Sequence, residues 1–248
     1  MNFAQRYRKA LNLHRAGRHT ETEACYRELL AENPRHADTL HLLGILYHQT
    51  GRHAEAANLI AKAVAIDPRN ADYLNNQGLA LRAAGQPEAA LASYRKAMQL
   101  APQDAEIHTN LGSLYQELGR FEEAAGCFRR LLHGNPKDLD AWNALCFALQ
   151  SLGNQCHAAG QFRQAEAAYE ELIELAGKHA HLYYNLANAQ RELGKPAEAA
   201  DNYRKALKLK PEDADIHNNL GNVLRELGRL EEAIACYEKA LQLNPRLY

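Results

Sequence analysis

Asparagine recurs at fixed offsets along this sequence. Asn76, Asn110, Asn185 and Asn219 each stand two residues before a small residue, which is Gly78, Gly112, Ala187 or Gly221. One residue after it come Ser113, Asn188 and Asn222, and four further on Glu117, Glu192 and Glu226, which helical spacing puts on the same face. A side-chain amide both donates and accepts hydrogen bonds, so a row of them can meet the N–H and C=O groups of an extended peptide. The structural alternative is that each asparagine bonds a neighbouring helix. Arg82, Arg191 and Arg225 flank the row and suit acidic groups, while the glutamates leave the face mixed in sign.

Other residue types offer less chemistry. Twelve histidines raise the question of a metal, especially His14 with His48 and His19 with His53, which are spaced by the same 34 residues as Gly44, Gly78 and Gly112. Neighbours in such a series lie about a helix diameter, roughly 10 Å, apart, too far to share an ion. No metal or other cofactor is expected. There is no G-x-S-x-G, no H-E-x-x-H and no phosphate-binding glycine loop, so the sequence reads as non-catalytic. The five cysteines contain no C-x-x-C pair. Cys25, Cys127 and Cys236 each precede an aromatic residue, Tyr26, Phe128 or Tyr237, at a position held elsewhere by Ser93 and Ala168, and read as small packing residues.

The elements that carry these residues repeat. Gly44, Gly78 and Gly112 are 34 residues apart, as are Ala187 and Gly221, and so are Pro34, Pro68, Pro102 and Pro136. A fixed period of this length marks a repeat array. In the most regular copy, His217, Leu220, Gly221 and Leu224 fall at i, i+3, i+4 and i+7, one stripe of a first helix, A. Gly228 supplies the left-handed residue that ends it, and Ala233, Tyr237 and Ala240 mark a second helix, B, before Asn244-Pro245. Neither helix buries its apolar face without a neighbouring unit, so stacking is compulsory.

The pattern of apolar residue, Leu-Gly, aromatic, then Ala, aromatic, Ala and Pro resembles the tetratricopeptide repeat, over nearly the whole chain. The resemblance implies an all-α, right-handed superhelical solenoid of about seven antiparallel helix pairs, with helix A lining the concave surface. The asparagine row is similar to that in the repeats of O-linked N-acetylglucosamine transferases, which hold peptide substrates in the lumen. Repeat domains that clamp a terminal carboxylate need lysine and arginine on this face, where acids and asparagines stand here.

In order, the repeats span 3–36, 37–70, 71–104, 105–138, 139–179, 180–213 and 214–247, a single solenoid. The first puts Arg6 and Lys9 where later copies are apolar, as an exposed N-terminal cap should. Asn70, Asp104, Asp138 and Asp213 are placed to cap successive A helices, with Asp72, Glu106, Asp140 and Asp215 in the first turn, where the helix dipole favours acids. The fifth unit is seven residues too long. Seven residues are nearly two turns, so 139–159 reads as one helix lengthened by roughly 10 Å with its face barely rotated, a protrusion beside the regular stack.

With 29 basic and 30 acidic residues, no net field draws the chain to nucleic acid or an anionic membrane. No stretch reads as a signal peptide or a membrane span, and the expected location is cytoplasmic. These features imply a scaffold that binds a protein or extended peptide in its concave groove. Two other readings stay open. One is the substrate-recruiting arm of a larger bacterial glycosyltransferase-like enzyme, since no polar helix covers the last pair. The other is a homo-oligomer built through that C-terminal end.

Overall fold

A helix that starts on a side-chain cap and stops on a glycine needs little else to set its bounds, and six of the fourteen helices, all of them the first of a pair, are drawn this way. The computed structural model describes residues 1–246; Leu247, where the last repeat was expected to close, and Tyr248 lie outside them. The described residues form fourteen helices and no strand. The A helices are α1 (Phe3–Arg15), α3 (Ala37–Gln49), α5 (Ala71–Ala83), α7 (Ala105–Glu117), α9 (Leu139–Ala158), α11 (Ala180–Glu192) and α13 (Ala214–Glu226). The B helices are α2 (His19–Glu32), α4 (His53–Ile66), α6 (Pro87–Leu100), α8 (Phe121–Gly134), α10 (Phe162–Ala176), α12 (Pro196–Leu209) and α14 (Leu230–Leu243). None of them is long and apolar enough to cross a membrane.

The caps are those the sequence offers. Asn70 accepts from the Tyr73 amide at 3.1 Å, Asp104 from Ile107 at 3.1 Å, Asp138 from Ala141 at 3.0 Å and Asp213 from Ile216 at 3.3 Å. Two further caps open the first and second pairs. Asn2 forms a reciprocal box with Gln5, and the ring of His36 accepts from the Thr39 amide. Gly228, at φ 74°, ends α13 in the left-handed region that a side chain rarely adopts.

Within a pair the two helices interlock through the small residue. A Cβ built on Gly221 would stand 2.7 Å from the ring of Tyr237, and one on Gly78 would stand 2.5 Å from that of Tyr94. Glycine there lets the backbone of helix A lie against the ring of helix B. Around this contact gather small residues, so that in the sixth and seventh pairs Ala187, Ala199, Ala200 and Tyr203 join Ile216, Leu220 and Val223 in one core. Large-to-small truncations in such cores cost about 2–5 kcal/mol, so the stacking of pairs is what holds each one folded.

The helices fall into two compact units, one comprising Met1–Arg120 and Gly126–Pro136, the other Phe121–Ala125 and Lys137–Tyr248. Two expectations need correction. Arg6 is half-buried, not exposed, and pairs with Glu32 across from α1 to α2, although Lys9 is exposed as a cap residue should be. The lengthened helix α9 is continuous over 20 residues, but its first turns bury Ala141 and Leu145 and are no protrusion. Leu139 and Phe147 are its exposed apolar residues.

Candidate functional site

The asparagines of the A helices fall into two sets with different hydrogen bonds. Those two residues before the small residue reach back to the preceding A helix, across 35 residues. Asn76 Nδ2 donates to His41 Nε2 at 3.0 Å, Asn110 Nδ2 to Asn75 Oδ1 at 3.1 Å and Asn219 Nδ2 to the Tyr184 hydroxyl at 3.0 Å. Asn185, half-buried, makes no such bond among the described residues. Those one residue after the small residue bond within their own pair. The Tyr203 hydroxyl donates to Asn188 Oδ1 at 2.5 Å, and that of Tyr237 to Asn222 Oδ1 at 2.9 Å.

These bonds fix which way each amide points. Asn76, Asn110 and Asn219 spend a nitrogen inside the molecule and keep an oxygen for other partners. Asn188 and Asn222 spend the oxygen and keep the two N–H donors. On α13 the face therefore offers an acceptor at Asn219 and donors at Asn222, three residues further on, the two functions that an extended backbone presents in alternation.

The charged residues also pair by a rule. Arg82 bonds Glu117 through two guanidinium nitrogens, Nη2 and Nε, the latter at 2.9 Å, and Arg191 bonds Glu226 at 3.0 Å. In each case the arginine four residues after one small residue meets the glutamate five after the next. Glu192 and Arg225 find no ion-pair partner among the described residues, and Arg225 is exposed.

Some of the site could not be named from the sequence. His41, Asn75 and Tyr184, which receive the first set, all stand three residues before the small residue of the preceding repeat; the constant stride of 35 is the signal that would have found them. Asn154 belongs to the second set, accepting from the Tyr169 hydroxyl at 2.8 Å, and was hidden by the seven-residue shift. Burial pushes the imidazole of His41 below its ordinary pKa, against the pull of Asp72 and Asp38, which keeps it neutral and able to accept from Asn76. The histidines meet in a different combination from the one their spacing suggested. His14 bonds Tyr26 and Gln49, whereas His48 and His53 face each other across the α3–α4 turn with Nδ1 atoms 3.2 Å apart. Burial, and then His53, lowers the pKa of His48. The five cysteines remain thiols.

Successive helix pairs, four of them locked by a glycine against an aromatic ring (Gly78, Gly112, Gly153 and Gly221) and several tied to the pair before by hydrogen bonds at a stride of 35 residues, define a helical-repeat protein. Models described as tetratricopeptide repeat match residues 55–105 with 184–247, 81–152 and 143–212, and a model of the Psidin N-terminal repeat region matches 4–77. The chain belongs to the tetratricopeptide repeat family. No curated protein matches its sequence. Among solved structures, that of Naa15/Naa10 bound to HypK-THB superimposes with a TM-score of 0.71 at 19% identity, over 99% of this chain and 37% of the other. A tetratricopeptide repeat protein from Parabacteroides merdae superimposes with a TM-score of 0.56 at 20% identity, over 98% of this chain and 93% of its own. The chain thus spans little more than a third of the first of these and nearly all of the second.

Proposed function

We propose that this protein is a non-catalytic interaction scaffold that binds an extended peptide or protein segment along the faces of its A helices. The observation that carries the reading is the split of the amides. With one atom of Asn76, Asn110 and Asn219 held by a neighbour, and the other kind of atom of Asn188 and Asn222 held by a tyrosine, the remaining atoms are pre-oriented acceptors and donors. Pre-orientation matters because a ligand then need not supply the ordering of the side chains that grip it. Glu192 and Arg225 add an acid and a base without ion-pair partners among the described residues. The structure of similar fold, Naa15/Naa10 bound to HypK-THB, is itself a protein complex.

Asn185 gives the cleanest test, because it makes no hydrogen bond within the described residues. A peptide array selects a ligand, and affinity and melting temperature are then measured on Asn185→Ala and on the quadruple alanine variant of Asn76, Asn110, Asn185 and Asn219. A net hydrogen bond contributes about 0.5–1.5 kcal/mol, so Asn185→Ala should weaken the ligand several-fold at unchanged melting temperature. The quadruple variant should lose both affinity and stability, since three of its residues also tie helices together. Full affinity in both variants would remove Asn76, Asn110, Asn185 and Asn219 from the function.

A further inference from the structure

At the turn between α3 and α4 two imidazoles meet. His48 lies in the last turn of α3 and His53 opens α4, and their rings stand 4.9 Å apart with the two Nδ1 atoms separated by 3.2 Å. Later pairs put other residue types at one or both of these places, as in Arg82 with Pro87 and His157 with Phe162. The first pair carries His14 and His19 there, but His14 is turned to the Tyr26 hydroxyl and to Gln49.

The separation matches what one metal ion asks of two ligands. Imidazole nitrogens bound at about 2.0–2.1 Å with a tetrahedral angle between them lie about 3.3 Å from each other. A proton shared by two nitrogens prefers a shorter gap, about 2.9–3.0 Å. The turn holds the rings in place from several sides. Thr50 Oγ1 donates to the Leu46 carbonyl at 2.9 Å, and the Arg52 amide donates to the Tyr47 carbonyl at 2.8 Å. Arg52 itself pairs with Glu23 at 2.6 Å, which offsets the positive charge next to His53 in the chain. Both histidines are half-buried, and neither Nε2 is engaged by another described residue. An ion would thus find its two ligands already ordered.

We propose that His48 and His53 form a two-imidazole site for a divalent transition ion of the nickel, copper and zinc group, with water in the other positions. Imidazole suits these ions, whereas magnesium and calcium take oxygen ligands. Among the described residues no third histidine, cysteine or acid joins the two, so the site is open and its ion exchangeable. The bound ion ties the end of α3 to the start of α4. It also sets a positive charge in the second pair at the place that Arg82 and Arg191 occupy in the third and sixth.

The test is a calorimetric titration of the tag-free, EDTA-treated protein with copper(II) and with zinc(II), joined for copper by electron paramagnetic resonance. Saturable binding of a single ion per chain is expected, copper more tightly than zinc, with hyperfine splitting from two imidazole nitrogens. The melting temperature should rise with the ion and return on adding EDTA. His48→Gln and His53→Gln should each weaken binding about tenfold or more, since losing even an outer-shell partner costs a metal site about 10–100-fold. Both variants should also lose the two-nitrogen signature while keeping the circular dichroism of the metal-free protein. His181→Gln, which breaks up the neighbouring imidazoles of His179 and His181, should leave binding unchanged. Absence of saturable binding overturns the proposal, and so does unchanged binding in either His48→Gln or His53→Gln, which would leave the two rings sharing a proton and no metal.

Discussion

Tyr94 and Tyr203 fill the same place in the third and sixth pairs, both buried, and differ only at the hydroxyl. Tyr203 donates to Asn188, but the residue corresponding to Asn188 in the third pair is Leu79, and the Tyr94 hydroxyl finds no hydrogen-bond partner. Burial takes the Tyr94 pKa up to about 12; Arg82 stands near enough to oppose this but is turned to Glu117. Where the ring carries no hydroxyl, as with Phe128, the residue after the glycine is Ser113 and nothing is left over. Leu79→Asn should therefore stabilise the protein by about 0.5–1.5 kcal/mol, the net worth of a hydrogen bond. Asn188→Ala should destabilise it by about 1–3 kcal/mol by stranding a buried donor. Urea unfolding of both variants decides; a loss of stability in Leu79→Asn would show that packing at Leu79 outweighs the hydroxyl.

Among the elements, α9 departs most from the repeat. Asp138 caps it and Gly153 takes the Tyr169 ring, so its ends behave as in any other pair, with seven residues added between them. Deleting residues 139–145 brings Cys146 next to Asp138 and puts Ala148 and Leu152 where Ala141 and Leu145 were. Because a heptad nearly preserves the helix face, the variant should still unfold cooperatively, at a lower melting temperature. A broad, non-cooperative transition in thermal circular dichroism would show that the first turns are indispensable core. The bounds of most A helices were legible in the sequence because caps and glycines are local signals, whereas the B helices start without a side-chain cap. The burial of Ala141 and Leu145 was not, since the period of a helix says which residues share a face and not what that face meets. The pairing of Arg6 with Glu32 was hidden for the same reason, a charge at an apolar position reading as exposure until a partner from another helix is seen.

For the whole molecule, the titrating groups make stability depend on acidity. His41, His48 and His181 have pKa values depressed below 6.5, chiefly by burial. A histidine depressed in the folded state contributes stability above its unfolded pKa and loses it as pH falls below about 6.5. Glu23, held down by Arg52, and Asp213, held down by Lys210 and backbone amides against burial, add a second loss at lower pH, which Glu170, raised by burial, partly offsets. The melting temperature should thus fall between pH 7.5 and 5.5, and fall less in His41→Gln. An identical fall in that variant would clear His41 of any part in it. The repeat count and the faces of the helices followed from the 34-residue period, but the division of the amides into donors and acceptors did not. It depends on which atom a neighbour 35 residues away, or a ring in the same pair, has already engaged.

The stride of 35 also bears on how such a gene can change length. The linker ahead of α7 reads Pro102, Gln103, Asp104, Ala105 and that ahead of α13 reads Pro211, Glu212, Asp213, Ala214. An unequal crossover joining Asp104 to Ala214 would bring Glu226 to Arg82, Asn219 to Asn75, and Ile216, Leu220 and Val223 to the places of Ile107, Leu111 and Leu114. Each of these side chains would find a partner of the right kind, while Arg95 would lose the Tyr115 hydroxyl, whose place Leu224 takes; three repeats would be lost in one recombination event and the aliphatic seam of the shortened product would still match.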